Sequence, residues 1–138
     1  MPISKGSELI VFNMNKIKIL IVEDNEPFLE LLDNFLKSEG YEVESSIDGN
    51  DAKNKFVKFN PDIVVTDVVM PDADGIELLV ELRKLNADIR MIVMSGGNKG
   101  HADTYLHMAD KLGADAILNK PFELANLLLE IKKIETSL

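Results

Sequence analysis

Short apolar runs alternate with apolar stripes at helical spacing along this chain, and that alternation limits the folds open to it. Ile17-Lys-Ile-Leu-Ile-Val22 is brief, β-branched and nearly continuous in apolar character. It reads as a strand buried on both faces. After Glu23-Asp24-Asn25-Glu26 comes Pro27, a residue suited to the first turn of a helix. Phe28, Leu31, Leu32, Phe35 and Leu36 then fall at helical spacing, and Gly40 closes the segment. Tyr41 to Ser46 reads as a weaker strand and Asp48 to Phe59 as a helix presenting Ala52, Phe56 and Phe59. Asn60-Pro61 breaks that helix. Ile63-Val-Val65 is a third strand, ending at Thr66-Asp67. A loop with Pro71 and Gly75 leads to a helix carrying Ile76, Leu79, Val80 and Leu82. Ile89 to Met94 is a fourth strand, ended by Ser95-Gly96-Gly97, and His101 to Leu112 reads as a helix. Gly113 precedes a fifth strand, Ala114 to Leu118. From Phe122 a last helix aligns Leu124, Leu127, Leu128, Ile131 and Ile134.

The order is therefore β-α repeated five times, an α/β class. Strands joined through helices pair in parallel by right-handed crossovers, with helices on both faces of the sheet. At 138 residues there is room for one domain. Residues 1–15 read as an N-terminal extension and 16–138 as the folded unit. Met14, followed at once by strand-like sequence, is a candidate native start, which intact mass would settle.

Composition removes several function classes. A formal net charge of −9 disfavours direct binding to nucleic acid or anionic lipid. The absence of cysteine excludes disulfides, thiolate metal sites and cysteine nucleophiles. No apolar run reaches the roughly 20 residues that span a bilayer. Met1 to Asn15 lacks a signal-peptide layout, so a cytoplasmic protein without membrane insertion is expected.

In an open α/β sheet, ligands sit beyond the carboxyl ends of the strands. The residues there are Glu23-Asp24, Asp67, Ser95 and Asn119-Lys120-Pro121. Three carboxylates brought together repel unless a proton or a cation sits among them. An all-oxygen donor set favours a hard cation, and Mg²⁺ suits few carboxylates with waters and a phosphate. Lys120 and Ser95 opposite the acids fit an anion held in the same place. The joint reading is a metal-assisted phosphoryl site with Asp67 as the nucleophile.

From Lys16 to Ser137 the chain resembles the receiver domains of two-component response regulators. The motifs are Ile-Leu-Ile-Val-Glu23-Asp24-Asn25, Asp62-Ile-Val-Val-Thr-Asp67-Val-Val-Met70-Pro71-Asp-Ala-Asp-Gly75, Met91-Ile-Val-Met-Ser95-Gly-Gly and Gly113-Ala-Asp-Ala-Ile-Leu-Asn-Lys120-Pro121-Phe122. The resemblance implies a doubly wound, flavodoxin-like (βα)5 fold, its parallel five-stranded sheet ordered 2-1-3-4-5. It implies Asp67 as phosphoacceptor, with Mg²⁺ held by Glu23, Asp24, Asp67 and the backbone carbonyl of Val69. Lys120 contacts the phosphoryl group, Ser95 is the switch hydroxyl, and the bond to Pro121 is cis. The donor is a phosphohistidine on a sensor kinase or histidine phosphotransfer protein. The output is a switched surface for an unknown target protein, or onward relay of the phosphate, from a stand-alone module without an output domain. Dimerisation through the last helices is open. Such a domain is regulatory rather than an enzyme, though it assists its own phosphotransfer and dephosphorylation.

Three features depart from the family pattern. Ile117 stands where an aromatic often swings inward with the switch hydroxyl. Ser95 and Lys120 are 25 positions apart, slightly long, with the excess assigned to Gly96–Gly100 as a mobile cover or a harmless insertion. No output domain is expected after the last helix. Val69 and Gly97 are expected to flank the path of attacking water and to tune the phosphate lifetime.

Other signals are weaker. Met70 to Glu81 imitates a calcium loop but has Met and Pro at its first two positions. His101 and His107 lack companion ligands, and Met91 and Met94 read as core. Tyr105 is a candidate substitute for the missing aromatic. Haloacid-dehalogenase-type phosphatases place a second Asp two residues after the nucleophile, where this chain has Val69. The competing reading is a phosphorylation-independent interaction module, which loss of an acidic, hydroxyl or lysine position would have favoured.

Overall fold

The computed structural model describes residues 16–68, 75–96, 107, 110–111 and 113–138. Five strands, β1 (Lys18–Val22), β2 (Glu42–Ser46), β3 (Ile63–Asp67), β4 (Arg90–Ser95) and β5 (Ala116–Asn119), form one sheet. All four pairings are parallel and the order is β2-β1-β3-β4-β5. The helices described from end to end are α1 (Glu26–Ser38), α2 (Gly49–Phe59), α3 (Gly75–Leu85) and α4 (Leu124–Glu135). The helix expected over 101–112 falls largely outside the described residues; His107, Asp110 and Lys111 within it are helical. The extension 1–15 also lies outside them.

The pleat divides the core in two. Leu20, Val22, Val64, Met91 and Val93 point to one face, where Ala52 and Phe56 of α2 and Ile76, Leu79 and Leu82 of α3 cover them. Ile19, Ile21, Ile63, Val65, Ile92 and Met94 point to the other, against Leu29, Leu32 and Leu36 of α1 and Leu127, Ile131 and Ile134 of α4. Both sides of β1 and β3 are thus enclosed, which is why their sequences are continuously apolar.

The helix ends have local causes. Asn25 Oδ1 accepts from the Phe28 N–H at 3.0 Å, capping α1, with Pro27 in the first turn. Gly40, at φ 98°, closes α1: its N–H donates to Lys37 O, and the Tyr41 N–H reaches back to Leu36 O. That turn takes the Tyr41 N–H, so β2 begins at Glu42 and not at Tyr41. Asp48 Oδ1 caps α2 through the Asp51 N–H at 2.7 Å, and Asn60 ends it at φ 52°.

Other boundaries move by a residue or two. β4 includes Ser95. β5 starts at Ala116, because Asp115 turns its carboxylate onto the Met91 N–H and the Arg90 guanidinium. The last helix starts at Leu124, not at Phe122. Leu31 is half exposed; Leu29 fills the core position on α1 instead. Leu78, absent from the expected α3 stripe, is buried, while Val80 is half-buried.

Candidate functional site

Parallel register brings the strand ends to one edge. Val22 pairs with Ser46 and with Thr66, Asp67 with Met94, and Ser95 with Asn119. Glu23 follows β1, Asp67 ends β3, Ser95 ends β4 and Lys120 follows β5, so all four arrive at the carboxyl edge. Glu23, Asp67 and Ser95 are buried; Asp24 is exposed.

Lys120 joins the acids. Its Nζ donates to Glu23 Oε1 at 2.5 Å and to Asp67 Oδ2 at 3.1 Å. The second Glu23 oxygen accepts from the Asn25 N–H at 3.0 Å. One oxygen from each of Glu23, Asp24 and Asp67 lies within 4.8 Å of the others. Burial pushes the Glu23 carboxyl above its ordinary range, and the Asp67 charge adds to this against the pull of Lys120 and the Asn25 N–H. Burial also disfavours the Lys120 ammonium, but the hydrogen bond to Glu23 and the Asp67 charge outweigh it and hold the lysine above its usual value. Among the described residues the Lys120 ammonium thus bonds two of the three clustered acids. This oxygen-only cluster, with Glu23 and Asp67 buried and Asp24 at the surface, fits a small hard cation.

The lysine's course depends on its neighbours. Its N–H donates to Ser95 O at 2.6 Å, and the Lys120–Pro121 bond is cis, as the resemblance implies. The stem runs over Gly96: a Cβ there would stand 2.7 Å from Lys120 Cδ and 2.9 Å from Cβ. The ammonium lies 4.9 Å from the centre of the Phe28 ring, and Phe28 meets Phe122 edge-on at 5.8 Å. Asn25, Phe28, Gly96, Lys120, Pro121 and Phe122 line a pocket of about 460 Å³. Sequence reasoning placed Phe28 in a core stripe and Gly96 in a flexible loop. Neither residue carries a sequence signal for contact with a lysine so distant along the chain.

Ile117 is half-buried and packs against the core beneath α2 and α3. Val69, Met70, Gly97, His101, Tyr105 and the 97–100 part of the loop after Ser95 lie outside the described residues. Among the described residues no helix is long and apolar enough to cross a membrane.

Comparison with known proteins finds a family and solved structures of this fold. The family model described as "Response regulator receiver domain" matches residues 19–132. A CheY-like response regulator receiver domain protein from Methanospirillum hungatei JF-1 is similar at 29% identity and a TM-score of 0.80, over 86% of this chain and 93% of that one. The N-terminal domain of an uncharacterized protein from Wolinella succinogenes is 31% identical with a TM-score of 0.79, over 87% and 94%. The chemotaxis protein CheY4 of Vibrio cholerae is 26% identical with a TM-score of 0.77, over 86% and 98%.

Proposed function

Because the chain belongs to the response-regulator receiver domain family, whose model matches residues 19–132, we propose that Asp67 accepts a phosphoryl group from a phosphohistidine on a sensor kinase or histidine phosphotransfer protein. Residues 16–138 form the receiver unit in this reading. The observation that carries it is the Lys120 ammonium bonded to both Glu23 and Asp67, within a cluster of three carboxylates.

An Asp67 carboxylate oxygen attacks phosphorus, an O–P bond forms and the P–N bond of the phosphoimidazole breaks. The imidazole leaves with the electron pair. Lys120 is placed to meet charge on the phosphoryl oxygens, and its raised affinity for its proton keeps it cationic at neutral pH. Glu23, Asp24 and Asp67, with the Val69 carbonyl that the resemblance implies, would hold Mg²⁺, which would supply further positive charge for the phosphoryl oxygens. The Ser95 hydroxyl, at the buried end of β4, is drawn to the new oxygens. That displacement re-poses β5 and α4 for a target protein, or the phosphate is passed on. Water attack on phosphorus breaks the Asp67 O–P bond, releases inorganic phosphate and returns Asp67 to the carboxylate. The regulatory event is a population shift, sized by the new contacts.

The interaction-only alternative is disfavoured, since the acceptor, the lysine, the hydroxyl and the acid pair are all present. Incubation with acetyl phosphate and Mg²⁺, read by intact mass, tests the proposal. The expected result is gain of one phosphoryl group by the wild type and none by Asp67→Ala. An equal mass gain in the two proteins, or no gain in either, refutes it.

A further inference from the structure

Lys120 has to reach two carboxylates at once on a stem with four rotatable bonds, so something must select one rotamer. The carboxylates fix the ammonium from one side. Gly96 gives the stem a bed without a Cβ. Among the described residues the contact that remains is the face of Phe28, 4.9 Å from the ammonium to the ring centre. Phe28 is held in turn: its N–H is bound by the Asn25 cap, and its ring meets that of Phe122 in a T-shaped contact at an interplanar angle of 68°. An aromatic face attracts a cation through its quadrupole, most strongly where water is partly excluded. The side chain of Lys120 is 23% exposed, so this contact is partly desolvated.

We propose that Phe28 is a positioning residue for Lys120, its ring face holding the ammonium toward Asp67 so that phosphoryl transfer begins from an aligned lysine. The inference rests on the reading of Asp67 as acceptor. It assigns α1 a part in the chemistry beyond the core packing of Leu29, Leu32 and Leu36.

Two measurements on the full chain test it, and only one needs phosphotransfer. The first is the NMR position of the Lys120 Hε protons. A lysine over a ring face has these resonances displaced upfield of the other lysines. The displacement is expected in the wild type and in Phe28→Tyr, and its loss in Phe28→Leu. Lys120 Hε at the ordinary lysine position in the wild type overturns the inference. The second is the rate of phosphorylation by acetyl phosphate at saturating Mg²⁺. Phe28→Leu keeps apolar bulk but has no ring, and is expected to slow the rate about three- to tenfold. Phe28→Tyr, which keeps the ring face, is expected to stay within about twofold of the wild type. A loss in Phe28→Tyr equal to that in Phe28→Leu, or no loss in either, overturns it. A wild type that gains no phosphoryl group instead defeats the reading of Asp67, and the resonance position still decides the placement of the lysine.

Discussion

Lys120 sets the balance of charge at the rim, and its removal has a calculable sign. Lys120→Ala leaves Glu23 and Asp67 side by side and buried, without their ammonium. Breaking a buried pair costs about 3–5 kcal/mol when the surviving charge has no escape. Here Glu23 can take a proton, since its carboxyl already sits above the ordinary range through burial. A carboxyl with a raised value binds its proton more tightly folded than unfolded, so the folded state gains stability as pH falls through that interval and loses it as pH rises. Lys120→Ala is therefore expected to cost about 2 kcal/mol at pH 7 and clearly less at pH 5, by urea unfolding. An equal cost at both pH values contradicts this account. Glu23, Asp67, Ser95 and Lys120 were legible in the sequence because each is a polar residue at the end of an apolar strand. Phe28 was legible only as one apolar residue among several at helical spacing. Its contact with Lys120 comes from the docking of α1 against the turn after β5, which no local pattern encodes.

Each element ends where a side chain or a glycine supplies what the backbone lacks. At the start of α2, Asp48 accepts the Asp51 N–H, while the buried Ser46 hydroxyl at the end of β2 donates to Asp51 Oδ2 at 2.8 Å and lies 2.9 Å from Asp48 O. The Ser46 hydrogen bond, aided by Lys55, holds the Asp51 carboxyl below its usual value. Asp48→Ala is expected to cost about 1 kcal/mol in urea unfolding at pH 7. The Asp51 contribution has the opposite pH sense to that of Glu23. A lowered carboxyl stabilises above the ordinary aspartate value and loses its contribution as pH falls through the folded one. Ser46→Ala is thus expected to cost about 1 kcal/mol at pH 7, with the difference from wild type narrowing below pH 4. These caps were readable as residue types. The exact boundaries were not: Tyr41 has strand-like chemistry, but its N–H is captured by Leu36 O, and Asp115 leaves β5 to bind Met91 and Arg90. Both outcomes are settled by hydrogen bonds between residues that a period-2 pattern treats alike.

Across the whole molecule, apolar matter fills the two faces of the sheet and three carboxylates collect at one edge. The two-faced core was readable because β1, β3 and β4 needed partners on both sides, and it separates stability from chemistry. Leu32→Ala, in the layer between α1 and the sheet, is expected to cost about 3 kcal/mol with no direct effect on the carboxylates. The acidic edge behaves differently, because a ligand that binds the folded state alone adds stability by mass action. Glu23, Asp24 and Asp67 come within 4.8 Å of one another in the fold, whereas unfolding disperses them. A divalent cation taken up there at ten times its dissociation constant adds about 1.4 kcal/mol. For a chain of this size that raises the melting temperature by about 5 °C. The protein's formal charge of −9 means that any salt screens self-repulsion, so the comparison must hold ionic strength constant with NaCl. Asp24→Asn removes one of the three carboxylates while leaving Lys120 with both of its partners. The wild type is expected to melt higher in MgCl₂ than in NaCl of equal ionic strength, and Asp24→Asn to show most of that gain abolished. A variant that responds to Mg²⁺ as fully as the wild type would place the cation elsewhere on the surface and remove the metal from the mechanism assigned to this edge.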